Sequence, residues 1–143
     1  MSQTAENTDI VRHFVNQALN DGNLNAVDRY LAEDFVRHDP TAPDIHGRDG
    51  YKEFVEMNRT AFPDYHETIE SMISEGDTVM YRWTFRGTHR GEFLGVEPTG
   101  KEIEATGMVE MRLEDCEIVE LWDNFDALGV LEQLGAIPEQ RLQ

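Results

Sequence analysis

The chain has 143 residues, 39% hydrophobic and 9% aromatic, enough for one domain with a core and a small pocket. That excludes a second domain and wholesale disorder. Twenty-nine acidic residues against twelve basic ones leave a formal charge of −17, which repels nucleic acid and anionic membrane surfaces.

Lys52 and Lys101 are the lysines; the other basic residues are arginines. An acidic, lysine-poor surface stays hydrated in concentrated salt, and at about 1 M the Debye length falls to about 3 Å, which screens self-repulsion. A halophilic cytoplasm is the expected setting. Thermal melts should therefore shift upward between low and molar salt. No apolar run approaches the roughly 20 residues of a membrane span, and the polar start Met1–Glu6 does not read as a secretory signal. Cys116 stands alone, so no internal disulfide is expected.

In chain order, residues 1–8 read as a flexible tail. Thr8 is placed to cap a helix running to about Asn20, with Ile10, Val11, Phe14, Val15, Ala18 and Leu19 forming one apolar stripe. A short helix follows over Asn25–Ala32. Asp39–Asp44 reads as a loop, and Asp49 can cap a third helix that Pro63 ends. From Tyr65 the period changes to two. His66–Glu75 is a strand with Ile69, Ser71 and Ile73 on one face; Thr78–Thr88 is the clearest strand, with Val79, Tyr81, Trp83 and Phe85 on one face. Gly87–Gly100 is glycine-rich and irregular. Strands over Lys101–Glu114 and Ile118–Phe125 flank a tight turn, and a last helix spans Leu128–Leu134. Helices followed by antiparallel strands give an α+β layout, with helices on one face of a curved sheet. The single domain covers residues 9–138, and 139–143 form a second tail.

Metal-ligand spacings, nucleotide-binding glycine motifs and a nucleophile elbow are all missing, so neither a metal nor a cofactor is expected. The informative residue is Asp123, in Val119-Glu120-Leu121-Trp122-Asp123-Asn124-Phe125. Strand alternation groups it with Val119, Leu121 and Phe125. A carboxylate in such an apolar wall has its pKa raised by desolvation, as a general acid/base near neutral pH requires. A slip of one residue would instead put Asp123 on the surface, and an arginine could neutralise it. The apolar face of the preceding strand, including Val109 and Met111, pairs with the Asp123 face, and Tyr81 and Trp83 can line the same cavity; these residues equally suit a plain core. His38, before Pro40, could stand at a pocket mouth or bond a loop carbonyl. His89 reads as a residue that organises its loop. Glu110 and Glu120 fall on the face opposite Asp123, so no second inward carboxylate is evident.

The succession Phe62-Pro63-Asp64-Tyr65, Glu75-Gly76-Asp77, Arg82–Gly95, Pro98-Thr99-Gly100-Lys101, Val119–Asp126 and Leu131–Gly135 resembles the SnoaL-like polyketide cyclases, or ester cyclases, of the NTF2-like superfamily. The resemblance spans about Ile10 to Pro138. It implies a cone-shaped α+β barrel: a curved, mostly antiparallel sheet and three N-terminal helices enclosing a pocket. It also implies a homodimer built through the sheet, and intramolecular aldol condensation of a polyketide ester without metal or cofactor. Asp123 matches the family's acid/base aspartate. The family's pocket histidine on the preceding strand is missing from Thr106–Met111, leaving His38 and His89 as candidate catalytic substitutes. Trp83, Tyr81, Val109, Met111, Leu121 and Phe125 form the expected substrate pocket. The ligand implied is a small hydrophobic carbonyl compound. Two other readings stand beside cyclisation or isomerisation: a non-catalytic module that binds a hydrophobic ligand, and epoxide hydrolysis, which needs a second acid in the pocket.

Overall fold

A computed structural model describes residues 3–137. Helix α1 (Gln3–Phe14) continues into a π-helical segment, Val15–Asn20. Residues 3–8 are thus helical rather than a tail, and Thr8 Oγ1 donates to the Thr4 carbonyl at 3.0 Å within the helix instead of capping its start. Met1, Ser2, Pro138 and the 139–143 tail lie outside the described residues. The expected apolar stripe is present: Val11, Phe14, Val15, Ala18 and Leu19 are all buried.

Helix α2 (Asn25–Tyr30) runs directly into strand β1 (Leu31–Asp39), and β2 (Ala42–His46) follows after a tight turn. Neither strand is expected from the sequence. Arg37 and Asp39 point inward on β1, so charge replaces the apolar half of the alternation. Pro43 marks β2 as a loop, yet β2 is an edge strand, where a missing N–H is tolerated. Helix α3 (Gly47–Ala61) starts before Asp49, with His46 at its N-cap.

The strands β3 (His66–Glu75), β4 (Thr78–Thr88), β5 (Glu102–Glu114) and β6 (Glu117–Phe125) match the sequence reading, and α4 (Ala127–Gln133) closes the described fold. The sheet has six strands in the order β2-β1-β6-β5-β4-β3. The β1–β6 pair is parallel and every other pair antiparallel. This is a mixed α+β fold with helices on the concave face of one curved sheet. Among the described residues the three helical segments expected before the long strands are present, and α4 is the helix expected after the last strand.

Two local features shape the interior. A bulge between Ile69 and Ser71 reverses the phase of β3. Glu67 and Ile69 therefore share the concave face with Met72, while Ile73, expected to face the same way, is 71% exposed. The second feature is Gly107, opposite Trp83. A Cβ there would lie 2.3 Å from the indole and 2.7 Å from the Asn124 carbonyl, so only glycine leaves room for this ring.

Candidate active site

The concave face of the sheet, α3 and the Phe93–Leu94 loop enclose a cavity of about 430 Å³. Its walls are largely apolar, with Phe54, Phe62, Trp83, Phe85, Leu121 and Phe125 among them. Thr41, Asp44 and Glu53 line its exposed side. The buried charged groups that face it fall into two clusters, one on β1 and β6, the other on β3 and β4, with Tyr51 and Asn58 of α3 beside them.

In the first cluster, Arg37 is 4% exposed and its Nη2 reaches two carboxylates: Asp123 Oδ2 at 2.9 Å and Asp39 Oδ2 at 3.1 Å. Its guanidinium lies over the Phe54 ring, 4.2 Å from the centroid. Burial works against the charge on Arg37, but Asp123, Tyr51 and Asp39 outweigh it and hold the proton more tightly than usual. Asp39 is fixed in turn by the Thr41 N–H and hydroxyl, both donating to its Oδ1 at 2.7 Å. Arg37 anchors one oxygen of Asp123. The other, Oδ1, is buried and makes no close hydrogen bond among the described residues; the indole N–H of Trp83, also without one, is near enough to the carboxylate to favour its charged form as a weak donor. Desolvation pushes the Asp123 carboxyl above the ordinary aspartate range, with the Arg37 charge pulling the other way. Both features foreseen as alternatives are therefore present: the apolar wall, and the arginine.

The second cluster centres on Glu67, 6% exposed. Tyr65 donates to its Oε1 at 3.1 Å and Tyr81 to its Oε2 at 3.4 Å. Among the described residues no cation pairs with it. Burial, then the Asp123 charge, push its carboxyl up to about 8, so Glu67 is neutral at neutral pH. Its backbone is clamped by Asn20, whose Oδ1 accepts the Glu67 N–H at 2.7 Å and whose Nδ2 donates to the Glu67 carbonyl at 2.9 Å.

Several expected site residues occupy these positions and others do not. Tyr81, Trp83, Val109, Leu121 and Phe125 line the cavity with Asp123. Met111 does not; it is fully buried beside Val79 and Leu121, at the end of the sheet that α1 and α2 close. His38 lies on the convex face, because Arg37 and Asp39 take the inward positions of β1. There it sits between Asp44 (3.1 Å) and Glu120 (2.6 Å) and stacks on Trp122. The Glu120 contact raises its pKa, but the ring has no access to the cavity.

His89 is completely buried, yet it too stands off the cavity. Its Nδ1 accepts the Thr99 N–H at 3.1 Å, and its backbone bonds Lys101 and Gly100. It fastens the two ends of the Arg90–Gly100 loop, as its sequence context suggests. The expectation of no second inward carboxylate is corrected twice, by Asp39 and by Glu67. Glu67 shares the parity of Ile69, and that alternation was the available signal; Arg37 and Asp39 carried none, since charged residues on a strand ordinarily mark its wet face.

Among the described residues no group of three His, Cys, Asp or Glu side chains is placed to hold a metal ion, and no helix is long and apolar enough to cross a membrane. The family model for SnoaL-like polyketide cyclases matches residues 9–134.

The chain belongs to the SnoaL-like polyketide cyclase family.

Solved structures of this family's kind superpose closely. IdmH of Streptomyces antibioticus, provisionally described as a polyketide cyclase, is 33% identical with a TM-score of 0.77, covering 90% of this chain and 98% of its own. A protein of Acidithiobacillus ferrooxidans, also provisionally described as a polyketide cyclase, is 30% identical with a TM-score of 0.81, over 96% and 100% of the two chains. AclR of Streptomyces galilaeus, provisionally described as a hydroxylase, is 29% identical with a TM-score of 0.84, over 97% and 87%. No curated protein matches the chain significantly. The SnoaL-like assignment accords with the mixed α+β fold and its curved six-stranded sheet.

Proposed function

We propose that this SnoaL-like protein is a cofactor-independent cyclase or isomerase of a small apolar carbonyl compound, polyketide or β-keto ester in type, with Asp123 as its acid/base. The observation that carries this reading is the Asp123 carboxylate: one oxygen is held by Arg37 at 2.9 Å, while the other is buried at an apolar cavity wall with no close hydrogen bond, the Trp83 indole N–H being its weak neighbouring donor. Such a group takes a proton from a carbon between two carbonyls. The resulting enolate attacks a second carbonyl of the same molecule, and Asp123 returns its proton to the new alkoxide. The cavity folds the chain of the substrate and keeps water from the enolate.

The test is turnover of β-keto esters and polyketide mimics by the parent and by Asp123→Asn. Turnover is expected to fall at least about 10²-fold, with ligand affinity retained. Full activity of Asp123→Asn on a substrate the parent turns over would end this reading. A ligand that co-purifies and leaves unchanged would favour the binding-module alternative.

A second reading is supported by Asp39. Two carboxylates on one guanidinium at a cavity wall are the parts an epoxide hydrolase requires, one to hold water and one to protonate the epoxide oxygen. Diol formation from simple apolar epoxides would separate it from cyclisation. As a homodimer, the chain would pair through the convex face of its sheet, where Met80 and Met108 stand 40% and 58% exposed; sedimentation equilibrium reads this directly.

A further inference from the structure

Asp123 can account for proton removal, but not for the charge that then appears on the substrate's carbonyl oxygen. Arg37 is occupied by two carboxylates. Glu67 is the other buried carboxyl facing the same cavity, and nothing in the reading above uses it. It is separately positioned, by Asn20 through the backbone and by Tyr65 and Tyr81 through the side chain.

We propose that Glu67 is the general acid of the site, delivering a proton to the substrate's carbonyl oxygen while Asp123 takes one from the neighbouring carbon. This rests on the acid/base reading of Asp123 and extends it from one group to two.

The geometry suits the role in both protonation states. A buried carboxyl without a cation keeps its proton, and so it is a donor. Once that proton has left, two phenols already aim hydroxyls at the carboxylate oxygens and stabilise the anion without rearrangement. The groups that face Glu67 come from every neighbouring element. Asp123 on β6, Tyr51 on α3, and Tyr65 and Tyr81 beside it surround the carboxyl, and Arg37 on β1 is the nearby cation. The Asp123 charge favours the protonated form of Glu67, and Arg37 with the two phenol hydrogen bonds moderates that effect.

The steps balance. The Asp123 carboxylate takes the C–H proton, the C–H pair becomes the enol double bond, and the carbonyl π pair takes the Glu67 proton. The products are a neutral enol, the Glu67 carboxylate and protonated Asp123. As the enol carbon attacks the second carbonyl, Glu67 recovers the enol proton and Asp123 gives its own to the new alkoxide. Both groups return to their starting states.

The first half-reaction is measured alone by proton–deuterium exchange at the activated carbon of an α-methyl β-keto ester in heavy water, followed by NMR. In Glu67→Gln, kcat should fall about 10²- to 10³-fold with KM little changed. The parent's kcat/KM should decline above about pH 8, and that alkaline limb should be absent from the variant. A residue with only a structural role would not shape the pH profile. If Glu67→Gln does not fold, Glu67→Asp, which keeps an acid proton on a shorter stem, should show a lowered kcat with the alkaline limb retained.

Full exchange by Glu67→Gln with the limb in place, while Asp123→Asn is inactive, would overturn the role of Glu67 and leave that of Asp123 standing. A parent protein that exchanges no proton from the ester would overturn both.

Discussion

The Glu67→Gln variant should melt at a higher temperature than the parent at about pH 8, and at or slightly below the parent's by about pH 4. The folded-state pKa of Glu67 is raised from the usual 4.5 to about 8. Below the lower value the group is protonated in both folded and unfolded chains, and its burial costs nothing that depends on pH. Above it the unfolded chain ionises freely and the folded one does not, so stability declines as pH rises through this interval and levels off near the upper value. The slope is about 1.4 kcal/mol per pH unit, for a total of at most about 5 kcal/mol. Glutamine does not titrate and removes that penalty. Against this stands about 1 kcal/mol for a phenol that loses a carboxyl acceptor. The net gain near pH 8 is then about 2–4 kcal/mol, or roughly 10 °C in Tm for a chain of this size. Circular-dichroism melts across the pH range read it. A difference independent of pH would mean that Glu67 titrates normally. A group that weakens the fold at working pH is what a functional site retains and stability alone would discard.

Arg37→Met should act in the opposite direction. It removes the guanidinium that neutralises Asp39 and Asp123 and leaves two buried carboxylates facing one cavity. Removing one partner of a buried ionic cluster costs about 3–5 kcal/mol. The loss should diminish on acidification, because protonating Asp123 relieves uncompensated charge; in the parent, Arg37 favours the ionised form of Asp123. Arg37→Met/Asp123→Asn should recover part of the loss. Arg37→Lys should recover less than its retained charge suggests, since an ammonium cannot reproduce the planar fork stacked on Phe54. Equal melting of Arg37→Met and the parent at neutral pH would mean that the cluster is solvated.

The sheet was legible where one face is uniformly apolar. On β4 the alternation through Val79, Tyr81, Trp83 and Phe85 is kept, and on β6 it is kept through Leu121, Asp123 and Phe125; Val119, expected on that face, falls at a bulge and Ile118 is buried there instead. Asp123 stood out because it interrupts an otherwise hydrophobic set. The remaining site residues were hidden by physical causes that differ from one to the next. On β1 the inward positions are Phe35, Arg37 and Asp39, so the ions that neutralise each other inside the cavity resemble a solvated edge when read singly. That inverted phase also sent His38 to the wrong face. On β3 Glu67 shares the odd parity of Ile69 and was legible on that ground, but a lone carboxyl on a polar strand reads as a wet position; the bulge after Ile69 then turns the second half of the strand inward at even numbers. Helix α1 begins before its apolar stripe, in residues whose helicity has no hydrophobic signature. Pairing of distant charges and a one-residue phase change are tertiary facts, and no local pattern encodes them.

The parallel pairing of β1 with β6 places Arg37 beside a residue 86 positions further along the chain. The hairpins β3–β4, β4–β5 and β5–β6 close between sequence neighbours, whereas β1 must wait for the last strand of the sheet before it has a parallel partner. Non-local closures of this kind dominate folding times. The two halves of the ionic cluster are therefore expected to meet late in folding, since a chain with every hairpin formed still lacks the counter-ion of Asp123. In a refolding experiment, far-ultraviolet circular dichroism should recover ahead of the near-ultraviolet signal of the buried Trp83 and Tyr81, and the lag between them measures how long the sheet takes to join its first strand to its last.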